Sequence, residues 1–148
     1  MGWAMMLLTS EELLCALRGH QVCAHPLADW AYQLVVLHER SVPTVVEGNE
    51  IGCERVDLIR TIDTWTKRQA PQHRNGSALH TESLGSVVDR IAAAHVHAVH
   101  MLMTRPVAHA CVHAAWHHLA ELTDAYTDLV TEVCNGHRRL PDLDHLLR

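Results

Sequence analysis

The chain has no phenylalanine and only two tyrosines among its 148 residues. Any core must therefore be built from Leu, Val, Ile and Ala, with four tryptophans as its large aromatic members. Cysteine pairing motifs are missing too. Cys15, Cys23, Cys53, Cys111 and Cys134 are odd in number, widely spread and contain no CxxC pair. That argues against a disulfide scaffold and a thiolate zinc knuckle, and for free thiols in a reducing, cytoplasmic setting. No stretch approaches the roughly 20 apolar residues that span a bilayer. The opening MGWAMMLL has neither a basic lead nor a small-residue cleavage site, so residues 1–8 read as an apolar strap on the domain and not as a signal peptide.

Basic charge is equally scarce. Twelve Lys and Arg stand against 17 Asp and Glu, a formal net charge of −5, which leaves no electrostatic footprint for nucleic acid. P-loop, GxSxG and HExxH motifs are absent, and seven glycines are too few for a nucleotide-binding fold. No Glu has a His three residues on, which removes a ferritin-like di-iron centre. What remains, 48% hydrophobic and 20% charged residues, describes one ordinary globular domain over 1–148.

Helical periodicity runs through most of it. Thr9 and Glu12 match a capping box that opens a short helix ending at Gly19. Pro26 starts a second helix with Leu27, Trp30, Ala31, Leu34, Leu37 and His38 on one face, stopped by Ser41-Val42-Pro43. After a connector with Gly48 and Asn49, a third helix shows Ile51, Leu58, Ile62 and Trp65, with Glu54 and Arg55 at the edges, and Pro71 marks its end. A long fifth helix carries Ala108, Cys111, Val112, Ala115, Leu119, Leu122, Tyr126, Leu129 and Val133 before Asn135-Gly136. The tail over 137–148 has room for a last helical turn. No segment alternates with period two, so strands are not expected. The expected fold is all-α: an antiparallel four-helix bundle with an extra short N-terminal helix.

The fourth helix is the organising one. Ser83 is placed to cap it, with Glu82 at its positive end. Leu84, Val87, Val88, Ile91, Ala94, His95, Ala98 and Leu102 gather on one stripe, while Glu82, Ser86, Asp89, His97 and His100 fall on the other side. His95 is the exception among aliphatics.

The run Leu79-His-Thr-Glu-Ser-Leu-Gly-Ser-Val-Val-Asp-Arg-Ile91 resembles the helix-opening signature of the uncharacterised bacterial helical family DUF4254. Leu37-His38-Glu39, Leu58-Ile59 through Ile62-Asp63, and Arg138-Arg139-Leu140-Pro141 extend the likeness from about Pro26 onward. Leu84 stands where the family commonly has proline, and His80 where asparagine is common. The resemblance implies polar positions at Glu82, Gly85, Asp89, Arg90, His38, Glu39 and Asp63, and it implies no activity.

Three groups of residues are candidates for chemistry. His38 and His95, each central on an apolar face, could join Glu39, Arg55 and Asp89 in an internal polar site, since buried imidazoles need partners. The alternative is a pair of satisfied structural histidines that fix helix register. His109, His113 and His117, with Glu121, stack at four-residue spacing and could chelate a surface divalent metal, or simply form a solvated face or a dimer contact. Glu82, Asp89, Arg90 and Asp63 could line a small polar pocket or cross-link helices. The function expected from this pattern is a non-enzymatic protein-interaction or self-association module, with no nucleic-acid or membrane partner and no cofactor. The alternatives are a metal-dependent enzyme with histidines from several helices, in the manner of DinB-like proteins, and a small-ligand binding module using His38, Glu39, Asp63, Glu82, Asp89 and His95.

Overall fold

The computed structural model describes residues 7–20, 24–40, 45–69 and 74–141. Five helices carry the fold: α1 (Ser10–Leu17), α2 (Pro26–Glu39), α3 (Val45–Gln69), α4 (Leu84–Thr104) and α5 (Ala110–Cys134). The chain is all-α in character, and the caps explain where its helices begin and end. Thr9 and Glu12 satisfy each other's backbone N–H groups at the start of α1. Pro26 occupies the first turn of α2, where its missing N–H costs nothing. At the end of α5, Gly136 takes a positive φ of 74°, and His137 N–H reaches back to the Glu132 carbonyl.

Packing centres on α4, which contacts α2, α3 and α5, while α1 lies against α2 and α5. Its buried residues are Leu84, Gly85, Val88, Asp89, Ile91, Ala92, Ala94, His95 and Ala98. Leu13, Leu17, Leu27, Leu34, Ile62 and Tyr126 fill the space around it. With no phenylalanine available, the tryptophans work at the margin: Trp30 and Trp65 meet edge to face at 6.0 Å, and His25 stacks edge-on to Trp65 at 5.5 Å.

The apolar strap is visible at its inner end. Leu7 and Leu8 are buried, and the fully buried Tyr126 hydroxyl donates to the Leu8 carbonyl at 2.8 Å. Residues 1–6 of the strap, Cys23, Ser41-Val42-Pro43, Pro71 and 142–148 of the tail lie outside the described residues.

Several expectations need correction. Gly48 and Asn49 lie within α3 and not in a connector; packing along a 25-residue helix outweighs a glycine penalty of about 1 kcal/mol. Ala108 precedes α5 and is exposed, as is Cys111, so the buried stripe of α5 begins at Val112. Leu102 is 39% exposed, so the buried stripe of α4 ends at Ala98. A strand pair is present as well. β1 (Ala78–Leu79) pairs in parallel with β2 (Arg138–Arg139), and two-residue strands are too short to show period-two alternation. This clasp ties the loop before α4 to the chain after α5, reinforced by Ser77 Oγ donating to the Gly136 carbonyl at 2.6 Å.

Tyr126→Phe leaves the Leu8 carbonyl buried without its donor, a loss of about 1–3 kcal/mol. Urea unfolding of the variant should show a lower midpoint with an unchanged slope; an unchanged midpoint would mean that this hydrogen bond does not help to hold the strap on the core.

Candidate functional site

The polar centre of the molecule is Asp89, one turn into α4. Helical periodicity alone puts it on the solvent side, yet it is only 8% exposed. Its partners come from two other helices. His38 Nε2, on α2, donates to Oδ1 at 2.8 Å. From α3, Arg55 Nε donates to Oδ1 at 3.2 Å and Nη2 to Oδ2 at 2.7 Å, the fork-to-fork geometry of the strongest ion pairs. Burial works against the Asp89 charge. The hydrogen bonds from His38 and Arg55, with the field of the guanidinium, outweigh it and hold the carboxyl below the ordinary Asp range. Asp89 in turn raises the Arg55 pKa, chiefly by accepting its hydrogen bonds. With the carboxylate ionised, the His38 tautomer is fixed with the proton on Nε2.

One turn earlier, Asp63 of α3 accepts the Gly85 N–H through Oδ1 at 2.7 Å, and Ser83 Oγ accepts the Ser86 N–H at 3.2 Å. Two of the free donors at the start of α4 are thus satisfied, one by its own cap and one by a neighbouring helix. Gly85 makes this possible. A Cβ there would stand 2.5 Å from the Ile59 carbonyl oxygen and 2.8 Å from Asp63 Oδ1, so only glycine lets α3 and α4 approach so closely. Asp63 Oδ2 is buried with no hydrogen-bond partner among the described residues. Burial pushes the Asp63 pKa up, with the Gly85 N–H and the nearby Ser83 hydroxyl partly countering it.

The remaining signature residues are spent locally. Arg90 pairs with Glu82 along α4, and the Glu82 N–H donates to His80 Nδ1 at 3.2 Å. Glu39 is exposed at the end of α2. His95 is 7% exposed and has no hydrogen-bond partner among the described residues. Burial lowers its pKa, the Arg18 charge adds to that, and Glu39 partly offsets both, so the ring is neutral at pH 7. His38 and His95 thus do not join one network: the first belongs to Asp89 and Arg55, while the second is buried within the field of Arg18 and Glu39.

The histidine stripe of α5 is also divided. His109 caps the helix, its Nδ1 accepting the Cys111 N–H at 3.1 Å. His113 and His117 are exposed, and His117 Nε2 lies 2.8 Å from Glu121 Oε1. Among the described residues, no three or more His, Cys, Asp or Glu are arranged to hold a metal ion. An open cleft of about 380 Å³ lies between α2 and α3, lined by Tyr32, Arg40, Glu54 and Asp57 over Val36, Leu37 and Leu58. None of the internal polar residues lines it. Cys15, Cys53, Cys111 and Cys134 are free thiols, and among the described residues no helix is long and apolar enough to cross a membrane.

Sequence reasoning undervalued Arg55 and Gly85. The signal for Arg55 was its position four residues after Ile51 and three before Leu58, on the buried stripe itself. For Gly85 it was a glycine in the first turn of a strong helix, where only a close approach justifies the propensity cost.

The family model described as "Protein of unknown function (DUF4254)" matches residues 47–141. The chain belongs to the DUF4254 family. The matched span contains Arg55, Asp63, Glu82, Gly85, Asp89, Arg90 and His95, whereas His38 and Glu39 lie before it. The α2 partner of Asp89 thus stands outside the part of the chain that the DUF4254 match covers. No curated protein and no solved structure matches the chain.

Two opposite pH signatures follow from the site. The depressed Asp89 pKa stabilises the fold above the unfolded value of about 3.8, and that stabilisation is lost as pH falls through the lower folded value. His95, whose folded pKa lies below 6.5, adds an earlier loss beginning as pH drops below that value. Asp63 acts the other way: its raised pKa favours the fold below 3.8, an advantage lost as pH rises through the folded value. At pH 7, Asp89→Asn should destabilise by about 1–3 kcal/mol, because the half-exposed Arg55 is left without its carboxylate. Asp63→Asn should be neutral or stabilising at the same pH. Thermal melts from pH 4 to 8 that moved both variants in the same direction would contradict these assignments. Gly85→Ala should cost about 1–3 kcal/mol by overpacking; an unchanged melting temperature would refute the close approach.

Proposed function

We propose that this DUF4254 protein is a non-enzymatic interaction module, an antiparallel four-helix bundle with α1 laid across it, that associates with itself or with a protein partner through its outer helical faces. One observation carries the reading: most polar residues of the family signature, Glu39 and one oxygen of Asp63 apart, are engaged with one another or with backbone. Asp89 is held by His38 and Arg55, Asp63 by the Gly85 N–H, Glu82 by Arg90 and Ser83 by the Ser86 N–H. A catalytic or ligand site needs polar groups converging on a space where a reactant can sit, and the α2–α3 cleft is lined by other residues. Exposed apolar side chains lie instead on the hairpin of α4 and α5, with Val99 at 38%, Met103 at 79% and Val107 at 70%.

The test is native mass spectrometry and sedimentation of untagged protein purified without nickel resin, with elemental analysis alongside. A dimer, or a protein partner carried through purification, is the expected outcome. A metal near one per chain, lost in His38→Ala or His95→Ala without unfolding, would replace this reading with the histidine-metal enzyme. A co-purifying small molecule displaced by changes at Asp89 or Asp63 would replace it with the ligand-binding module.

A further inference from the structure

The outward face of α5 is divided into an imidazole half and a carboxylate half. At 100° per residue, His113, His117, Glu121, Asp124 and Asp128 share one stripe, opposite the buried Val112, Ala115, Leu119 and Tyr126, and all five are exposed. From Ile91 to Ala120 the chain contains no Asp or Glu, while from Glu121 to Cys134 it contains no Lys, Arg or His. The first half of the stripe is therefore imidazole and the second half carboxylate. Two of the acids on α5 are answered within the chain, Glu121 by His117 and Glu132 by Arg138 at 2.7 Å. Asp124 and Asp128, one helical turn apart, make no ion pair among the described residues, and like charges at that spacing repel.

We infer that a second copy of this chain docks on this stripe, the two α5 helices running antiparallel about a two-fold axis between Ala120 and Glu121. In that register His113 of one copy faces Asp128 of the other, and His117 faces Asp124, each contact occurring twice by symmetry. Imidazole meets carboxylate at all four positions, and the repulsion between Asp124 and Asp128 is relieved. The imidazole-to-carboxylate division names the occupant. A stripe of carboxylates alone would ask for a partner rich in donors or cations, whereas one that passes from imidazole N–H donors to carboxylate acceptors at its midpoint is complementary to itself when reversed. Ala110, Ala114 and Ala125, exposed beside the stripe, allow the two helices to approach. The inference rests on the interaction-module reading and supplies its partner and surface.

The experiment is sedimentation velocity on the untagged full chain, on His113→Glu/His117→Glu, on Asp124→Lys/Asp128→Lys, and on an equal mixture of the two variants. All four substituted positions are exposed, and circular dichroism checks that both variants keep their helices. The wild type should be a dimer, and His113→Glu/His117→Glu should weaken it about tenfold or more, because carboxylate then faces carboxylate. The mixture should regain the dimer, since Glu at 113 and 117 then faces Lys at 128 and 124. A dimer undiminished in His113→Glu/His117→Glu would overturn the assigned surface while leaving self-association intact. Failure of the mixture to recover would overturn the antiparallel register. A wild type that stays monomeric would overturn the inference altogether, leaving the interaction reading to stand only if another protein co-purifies.

Discussion

A single buried carboxylate holds three helices in place. Asp89 belongs to α4, but its charge is tolerable only because α2 brings His38 and α3 brings Arg55 to the same two oxygens. Removing either partner leaves a buried ion under-solvated, which costs far more than the intact group contributes in net terms. The network therefore acts on register more than on total stability. α2 and α3 can slide or rotate against α4 only by breaking contacts that no other position restores, whereas the aliphatic contacts around them would tolerate several arrangements.

Close approach at Gly85 is the second constraint, and it works with the first. Four residues separate Gly85 from Asp89 on α4, and eight separate Arg55 from Asp63 on α3. Two fixed points on each helix define both their distance and their relative position along the axis. The family signature then has a physical meaning residue by residue. Ser83 caps the helix, Gly85 admits the neighbouring backbone, Asp89 joins three helices, and Arg90 neutralises Glu82 beside the positive end of α4. The β1–β2 clasp closes the same end by tying the loop before α4 to the chain that leaves α5.

Much of this was legible in the sequence, and the failures share one cause. The helices followed from apolar spacing and from caps at Thr9, Ser83 and Gly136, which are local signals. Asp89 was placed outside because a helical wheel sees one helix at a time, while its burial is decided by an Arg 34 residues earlier and a His 51 residues earlier. The pairing of His38 with His95 failed for the same reason: both sit on apolar faces, yet only tertiary packing decides which histidine meets the carboxylate. His109, expected as a third member of a histidine stripe within α5, is instead its cap. A chelating spacing and a capping position look alike until the helix start is known.

The division of labour between interior and surface bears on where function resides. Site residues that react or bind must be reachable and only partly satisfied before the ligand arrives. The buried acids do not meet both: Asp89 is enclosed and fully engaged by His38 and Arg55, and the orphan oxygen of Asp63 is sealed against a neighbouring helix and needs Gly85 to be accommodated at all. What α5 turns outward is the reverse: exposed imidazoles and carboxylates that occupy separate halves of one helix, with Asp124 and Asp128 in no ion pair among the described residues. A stripe ordered in that way contributes nothing to the packing of its own bundle. Beyond the His117–Glu121 pair, its order has the consequence proposed above when a second helix, running the other way, is laid against it.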